Sequence, residues 1–286
     1  MIRFVIPAYN EEENIPTLLA DLGPRAQDLG AKIIFVDDGS TDGTLAAIER
    51  HRGDLHVAVV RHARNAGLGT AINSGLRAAL SESLDDDAIV TIEADNTSDL
   101  DDLPLMLQRY RAGYDVVLAS VYAPGGQIIG VEGWRLAASK AVSGTFRRLG
   151  GLDEVHTLSS LYRVYRAGTL RRAADTYGYL LVREPGFAAN VELLLKLYNA
   201  GATVAEVPTV NDWGRRQGVS KMRLTPTVVA YGRLAAAHIV GRIQPPPLSP
   251  LHEITGGALG AGAGSPFSLP ATSETSSLAT APAVPS

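Results

Sequence analysis

The sequence contains no cysteine, no long apolar run and no excess of positive charge. Without cysteine, the 286-residue chain can form neither disulfides nor thiolate metal sites, which fits a reducing compartment. No stretch reaches the ~20 consecutive apolar residues that a membrane-spanning helix requires. The formal net charge of −4 gives no reason to expect nucleic acid as a partner. These absences leave an ordinary globular protein, whose 45% hydrophobic content is sufficient for a core.

The first 120 residues alternate short apolar runs with stretches of helical periodicity. Runs rich in branched aliphatic residues, typical of buried strands, cover 2–6, 32–36, 57–60, 88–92 and 115–119. Between them, apolar residues recur at helical spacing over 12–22, 44–52, 68–80 and 103–112. Largely apolar strands, each followed by a helix, predict an α/β fold with a parallel sheet covered on both faces.

The second half of the chain is less regular. Helical patterns near 135–147 and 191–199 precede one strand, 202–207, which ends at Pro208. From 244 onward the chain is mostly Pro, Gly, Ala, Ser, Thr and Leu, and such a composition buries too little apolar surface to offset its ordering entropy. We therefore expect one domain over 1–243, divided into halves at 1–120 and 121–243, and a disordered tail at 244–286.

Acidic residues follow two of the predicted strands where those strands end. Asp37 and Asp38 are consecutive carboxylates, which repel each other unless a cation or a hydrogen-bond donor lies beside them. Glu93 and Asp95 are two residues apart, and on an extended backbone this spacing directs both carboxylates to one face. Paired oxygen ligands of this kind suit Mg²⁺ or Mn²⁺. The alternative for both pairs is a loop that caps the following helix.

Two further loops have the composition of phosphate sites. Gly67 and Gly69 precede a helix, and glycine lets a backbone approach a ligand near a helix N-terminus. An ordinary turn is the alternative, because the loop lacks the dinucleotide fingerprint and the Walker lysine. The region 213–242 contains six Lys or Arg and no Asp or Glu. Its beginning, with Arg215 and Arg216, resembles a phosphate-binding loop or a solvated basic face, and the remainder predicts a helix that packs in the core or rests on anionic lipid.

Taken in order, these motifs resemble those of family-two, GT-A-type glycosyltransferases, most closely the dolichol- or polyprenyl-phosphate mannosyl- and glucosyltransferases. The likeness covers roughly residues 1–235 and is carried by VIPAYNEE at 5–12, VDDGSTDGT at 36–44, the glycine loop at 65–75, EAD at 93–95, YAPGG at 122–126, EVP at 206–208 and RRQGVSK at 215–221. The resemblance implies the GT-A fold, a Rossmann-like and mostly parallel sheet flanked by helices, with the nucleotide-sugar donor bound by the half at 1–120 and the acceptor by the half at 121–243.

The resemblance also implies which residues form the site. A nucleotide diphosphate sugar, of the GDP-mannose or UDP-glucose type, would contact residues of the strand ends and one arginine, namely Pro7, Ala8, Tyr9, Glu11, Val36, Asp37, Asp38, Gly67, Glu93, Asp95 and Arg215. Glu93 and Asp95 would bind Mg²⁺ or Mn²⁺, and Asp95 and Arg215 would be catalytic. The implied contacts to an acceptor phosphate are Arg135, Ser139, Ser220 and Lys221. For Arg135 and Ser139, the polar face of a surface helix is the alternative.

Three departures from the family pattern fall on the metal or the acceptor side. The family usually has Asp-Ala-Asp where this chain has Glu93-Ala94-Asp95, and a longer carboxylate moves the metal that it binds. The family often has Ser-Arg-Tyr where this chain has Ser120-Val121-Tyr122, so one cation for an acceptor phosphate is missing. The Asp-x-Thr-Ser-Gly-Phe-Arg pattern of the family occurs at 157–163 without its acid or its glycine.

The resemblance implies inverting transfer of a hexose from the donor to polyprenyl phosphate, by one in-line displacement at the anomeric carbon. Such an acceptor is ionised at neutral pH, whereas a hydroxyl acceptor needs a carboxylate to take its proton. Two alternatives are a transferase with a soluble hydroxyl acceptor, favoured by Val121, and a non-catalytic nucleotide-sugar-binding protein, favoured by Glu93. We expect a cytoplasmic protein, in solution or peripheral on the cytoplasmic face of a membrane.

Overall fold

A computed structural model describes residues 1–131, 144, 155–178, 180–217, 224–241 and 243. The predicted acceptor contacts Arg135, Ser139, Ser220 and Lys221 lie outside the described residues, as does the predicted tail at 244–286. The helix predicted near 135–147 lies outside them too, apart from residue 144. These parts of the sequence analysis stay predictions.

Five strands and four helices alternate along the first 120 residues. The strands are β1 (Ile2–Ala8), β2 (Lys32–Asp37), β3 (Val57–Arg61), β4 (Ala88–Thr91) and β5 (Val116–Ser120). The helices are α1 (Ile15–Asp28), α2 (Thr44–His51), α3 (Leu68–Ser81) and α4 (Leu103–Arg111). Helix α1 extends beyond the predicted range because it continues through Pro24, with Leu22 and Ala26 buried on either side.

The second half contributes four more strands and three helices among the described residues. The strands are β6 (Gln127–Ile129), β7 (Arg163–Arg166), β8 (Val204–Pro208) and β9 (Val210–Asp212). The helices are α5 (Ala167–Tyr177), α6 (Ala189–Asn199) and α7 (Leu224–Ile239). A short 3₁₀ turn, Trp213–Arg215, follows β9 directly.

Seven strands form one sheet in the order β3-β2-β1-β4-β7-β5-β8. Its pairs are parallel except where β7 lies antiparallel between β4 and β5. Ala8 is opposite Asp37 and Asp37 is opposite Arg61, so the carboxyl ends of β1, β2 and β3 share one edge. Strands β6 and β9 pair separately in a small parallel sheet. The two halves of the chain therefore share one sheet.

Apolar side chains pack on both faces of this sheet, as the continuous apolar strands predict. One core lies under α1, α2 and α4 and includes Phe4, Leu22, Ile33, Ile48 and Met106. The other lies under α3, α5, α6 and α7 and includes Val5, Ile34, Leu76, Leu170, Leu194 and Leu234. Successive residues of β1 and β2 thus alternate between two cores, which fixes the register that aligns the strand ends.

The predicted α/β fold with a mostly parallel sheet is confirmed, and the sequence pattern missed β7. This strand begins with Arg163, a residue that strand patterns do not favour in a core. Arg163 is nevertheless fully buried, and its guanidinium donates to the carbonyl oxygens of Leu158 at 2.6 Å and Asn190 at 2.8 Å. Backbone acceptors thus stabilise a buried cation that composition alone would place at the surface.

Candidate functional site

The carboxyl ends of β1, β2 and β4 open on one cavity of about 900 Å³. Ligand pockets in proteins commonly enclose ~300–1,000 Å³, so a nucleotide sugar is of suitable size. The predicted donor contacts on its wall are Pro7, Ala8, Tyr9, Glu11, Asp38, Gly67, Glu93 and Asp95. Val36 and Asp37 are not on the wall, because Val36 is fully buried in the sheet and Asp37 Oδ1 accepts the Ser40 N–H at 2.9 Å.

Asp38 is bound by donors from the loop between β3 and α3. Its Oδ1 lies 2.7 Å from His62 Nδ1 and accepts the Ala66 N–H at 3.0 Å, while Oδ2 accepts the Gly67 N–H at 2.8 Å. His62 Nε2 lies 2.9 Å from the hydroxyl of Ser74 on α3. The chain itself therefore supplies the donors that the acidic strand end requires, and Asp38 fixes the glycine loop at the cavity.

Glu93 and Asp95 both line the cavity from the loop that follows β4. Glu93 accepts the Leu161 N–H at 3.1 Å and the Ser98 hydroxyl at 2.7 Å. Asp95 Oδ1 accepts the Thr97 hydroxyl at 2.7 Å. The loop that follows β4, together with the backbone of Leu161, thus holds both carboxylates in place, while each side chain remains on the cavity wall.

Burial and the negative charge of Asp95 raise the pKa of Glu93, against hydrogen bonds from Ser98 and Leu161 that lower it. A cation beside the pair would favour the charged form of Glu93. Within the described part of the chain, no group of three or more His, Cys, Asp and Glu could hold a metal. Two carboxylates are nevertheless a suitable donor set for Mg²⁺ or Mn²⁺ when substrate phosphates supply further oxygens.

Among the ion pairs of the described residues, Arg216 is the arginine paired with Asp95. Arg216 Nη1 lies 3.3 Å from Asp95 Oδ2, and the Arg216 side chain is 12% exposed on the cavity wall. Arg215 borders a separate cavity of about 200 Å³ together with Glu93 and Asn96. The 3₁₀ turn ends at Arg215 and Arg216 is extended, so the two consecutive side chains diverge.

Gly67 and Gly69 allow another part of the chain to pack closely against the N-terminus of α3. A Cβ at Gly69 would overlap the carbonyl oxygen of Glu184, and a Cβ at Gly67 would overlap that of Pro185. The Gly69 N–H donates to the Pro185 carbonyl at 3.0 Å. These glycines therefore let the segment 184–188 pack on the N-terminus of α3, where it forms a wall of the cavity.

The acceptor-side departures also lie on the cavity wall, which Val121 and Thr157 both line. Thr157, at the position of the family acid, has its hydroxyl 2.8 Å from that of Ser120 and accepts the Tyr122 N–H at 3.3 Å. Glu206 on β8 accepts the backbone N–H of Thr157 at 2.8 Å. A contact between the uncharged hydroxyl groups of Ser120 and Thr157 therefore stands where the family pattern has an acid.

Further wall residues were not predicted from the sequence, namely Phe187, Trp213, Tyr231 and the pair Glu184 and Arg233. Arg233 on α7 contacts both carboxylate oxygens of Glu184 at 3.0 Å. The sequence gives only a turn signal at Pro185-Gly186, because these residues meet through tertiary packing.

The arrangement of strand ends, acidic pair and cavity corresponds to a recognised family. The family model described as glycosyl transferase family 2 matches residues 4–170. The chain belongs to this family. The match runs from β1 into α5, so it contains the acidic strand ends and β7, and it confirms the resemblance found in the motifs.

Curated relatives transfer sugars to polyprenyl phosphates according to their names. Polyprenol monophosphomannose synthase of Mycolicibacterium smegmatis is 32% identical over 84% of this chain and 88% of its own length. Undecaprenyl-phosphate 4-deoxy-4-formamido-L-arabinose transferase of Pseudomonas aeruginosa is 32% identical over 58% of this chain. Dolichol-phosphate mannosyltransferase of Pyrococcus furiosus is 29% identical over 46% of this chain. The matches span less than half the length of the last two proteins, 47% and 36% respectively.

Solved structures confirm the GT-A fold. Glucosyl-3-phosphoglycerate synthase from Mycobacterium tuberculosis, in complex with Mn²⁺, uridine diphosphate and phosphoglyceric acid, superposes with a TM-score of 0.60 at 20% identity. The superposition covers 86% of this chain and 79% of that one. Among the described residues, no helix has the length and apolarity needed to cross a membrane.

Proposed function

We propose that this family-2 glycosyltransferase moves a hexose from a nucleotide diphosphate sugar to a polyprenyl phosphate, with inversion at the anomeric carbon. The observation that carries the proposal is the acidic pair Glu93 and Asp95 on the wall of a ligand-sized cavity, with Arg216 beside it. The relationship to a polyprenol monophosphomannose synthase, which covers 88% of that protein, supports the acceptor class.

The donor, of the GDP-mannose or UDP-glucose type, would lie across the carboxyl ends of β1, β2 and β4. Its nucleoside would contact Pro7, Ala8, Tyr9 and Glu11, with Asp38 and Gly67 on the neighbouring wall. Its diphosphate would lie toward Glu93 and Asp95. In this proposal residues 1–120 provide most of the donor site and residues 121–243 the acceptor site, as in the sequence analysis.

Glu93 and Asp95 would hold a Mg²⁺ or Mn²⁺ ion, since both carboxylates line the cavity and the pKa of Glu93 is raised by burial and by the charge of Asp95. When bound, the ion neutralises charge on the departing diphosphate. Arg216 supplies a planar guanidinium suited to the same phosphate oxygens. Leu161 and Ser98 keep Glu93 oriented through their hydrogen bonds, and Thr97 does the same for Asp95.

A polyprenyl phosphate is already ionised at neutral pH, so the acceptor needs no strong general base. Arg135, Ser139, Ser220 and Lys221 remain the proposed contacts to its phosphate, on the strength of the family motifs. Helix α7 borders the cavity and exposes Val229, and the same helix carries the cation Arg233. This combination supports peripheral contact with the cytoplasmic face of a membrane.

The direct test is transfer by the purified protein. Polyprenyl phosphate in detergent micelles is incubated with Mn²⁺ and radiolabelled GDP-mannose or UDP-glucose, and the lipid phase is extracted. We expect a labelled lipid-linked hexose from one of the two donors. Absence of labelled lipid with every donor of this type would contradict the proposed acceptor.

A soluble hydroxyl acceptor is the second candidate, and the neutral wall at Val121 and Thr157 favours it. The loss of the family cation and acid at these positions removes charge from the acceptor end of the cavity. Flotation with anionic phospholipid vesicles distinguishes the candidates, because an enzyme for soluble acceptors should remain at the bottom of the gradient.

A further inference from the structure

One buried asparagine joins three parts of the donor cavity. Asn14 lies just before α1 and is 2% exposed. Its Nδ2 donates to Glu11 Oε2 at 2.6 Å and to the Gln217 carbonyl at 3.1 Å, and its Oδ1 accepts the Gln217 N–H at 3.0 Å. Its backbone carbonyl accepts a hydrogen bond from Asn96 Nδ2 at 3.0 Å. Asn14 therefore connects the end of β1, the loop after β4 and the loop after β9.

The two bonds to Gln217 fix the backbone next to Arg216. The side-chain amide of Asn14 pairs with both the N–H and the carbonyl of Gln217, as a neighbouring strand would. Arg216 precedes Gln217 in extended backbone, and its Nη1 is 3.3 Å from Asp95. Because arginine has a long, flexible side chain, anchoring the adjacent backbone restricts where its guanidinium can reach.

We infer that Asn14 is a positioning residue that acts through Arg216, holding this arginine at the place where the donor diphosphate is proposed to bind. The inference rests on the proposed donor site. An amide suits the role because it donates and accepts at once, and its donor also satisfies the carboxylate of Glu11. An aspartate here would lack both donor hydrogens and would place a second carboxylate against Glu11.

A matched control is available within the same chain. Asn73 on α3 makes the same pair of bonds to a backbone, donating to the Val182 carbonyl at 2.6 Å and accepting the Val182 N–H at 3.1 Å. Its partner lies on a different segment from Arg216. If Asn14 only stabilised the fold, the effect of Asn14→Ala on nucleotide binding would be independent of substitutions at Arg216, as we expect for Asn73→Ala.

The test is a double-mutant cycle on nucleotide affinity, measured by calorimetry with GDP and UDP in the presence of Mn²⁺. We expect Arg216→Gln to weaken binding by about 10-fold and Asn14→Ala by a similar factor, while the double variant is no weaker than Arg216→Gln alone. Asn73→Ala combined with Arg216→Gln should show the product of the separate effects. If the losses of affinity caused by Asn14→Ala and Arg216→Gln multiply in the double variant, the inference is overturned.

Hydrogen exchange tests the same inference without any ligand. The Gln217 amide should exchange about 10-fold faster or more in Asn14→Ala, and at the wild-type rate in Asn73→Ala. An unchanged rate in Asn14→Ala would overturn the inference. If neither nucleotide binds the wild-type protein, the proposed donor site fails, and the exchange rates then decide only whether Asn14 anchors the backbone at Gln217. Asn14→Ser, checked by thermal unfolding, replaces Asn14→Ala if that variant does not fold.

Discussion

At the scale of single residues, the two carboxylates at the end of β4 have different surroundings. Glu93 is half-buried and accepts hydrogen bonds from Ser98 and Leu161, and its pKa is raised by burial and by Asp95. Asp95 faces Arg216 across 3.3 Å at the cavity wall. In the absence of metal, protonation of Glu93 should therefore change stability, whereas neutralisation of Asp95 should change catalysis.

The raised pKa of Glu93 predicts a pH-dependent stability in the absence of metal. The folded chain holds this proton more tightly than the unfolded chain, in which a glutamate has a pKa of ~4.3. As the pH rises from ~4.3 through the raised pKa of Glu93, the contribution of this group to the free energy of unfolding should thus fall. Glu93→Gln cannot titrate, so its stability relative to wild type should increase over that range. Urea unfolding from pH 4.5 to 8 measures this, and parallel curves would contradict it.

Replacement of Asp95 should lower transfer without unfolding the protein. Asp95→Asn keeps an oxygen for the Thr97 hydroxyl but removes the charge that faces Arg216 and the proposed metal. We expect kcat to fall by about 10²–10³-fold, the size of losing one electrostatic contact to a transition state. Asp101→Asn is the control, because this exposed acid contacts only Arg25 on the outer surface among the ion pairs described. Equal rates for Asp95→Asn and wild type would exclude a catalytic role.

At the scale of elements, the cavity depends on close contact between α3 and the segment 184–188. Gly69 allows this contact, since its Cβ position is occupied by the carbonyl oxygen of Glu184. The same segment is held from behind by Glu192 on α6, which accepts the N–H groups of Arg183 and Glu184 at 2.7 and 2.8 Å. Glu192 binds the segment 184–188 on one side and the N-terminus of α3 contacts it on the other, so the segment cannot easily move away from α3.

Gly69→Ala should therefore destabilise the fold, whereas alanine usually stabilises a helix. We expect a loss of about 1–3 kcal/mol from the steric overlap with Glu184. Gly232→Ala in α7 is the matched control, because a Cβ there meets no atom of the described residues within 4 Å and should add up to ~1 kcal/mol through helix propensity. Urea unfolding of both variants measures the difference. Equal stabilities for the two alanine variants would show that the segment moves aside freely.

Elements with a strong local pattern were predictable from the sequence, and elements determined by tertiary contacts were not. Strands β1 to β5 and their helices have apolar residues at the spacing that each element buries, so the sequence predicts them. Strand β7 carries a buried arginine whose acceptors are the backbone carbonyls of Leu158 and of Asn190 on α6. The choice between Arg215 and Arg216 depends on where a 3₁₀ turn ends, a detail that motif spacing does not contain.

At the scale of the whole molecule, a bound donor nucleotide should stabilise the fold. Binding to the folded chain alone adds about 2.7 kcal/mol at a ligand concentration of 100 Kd. Thermal unfolding with GDP or UDP and Mn²⁺ should therefore show a rise of several degrees in Tm, and chelation of Mn²⁺ should reduce it. Asp95→Ala should lose most of the metal-dependent part. A rise that is unaffected by chelation would contradict the proposed metal site.

The position of β7 also delays the joining of β4 to β5 in the sheet during synthesis. Strands β4 and β5 are synthesised before β7. They do not pair with each other, because β7 lies between them in the sheet. Each keeps an edge of free N–H and carbonyl groups until β7 has been made, and such edges promote aggregation. A truncated chain ending after β5 would therefore hold the acidic residues of the site while β5 lacks both of its neighbours in the sheet, β7 and β8. Chimaeras between relatives should exchange β4, β5 and β7 together.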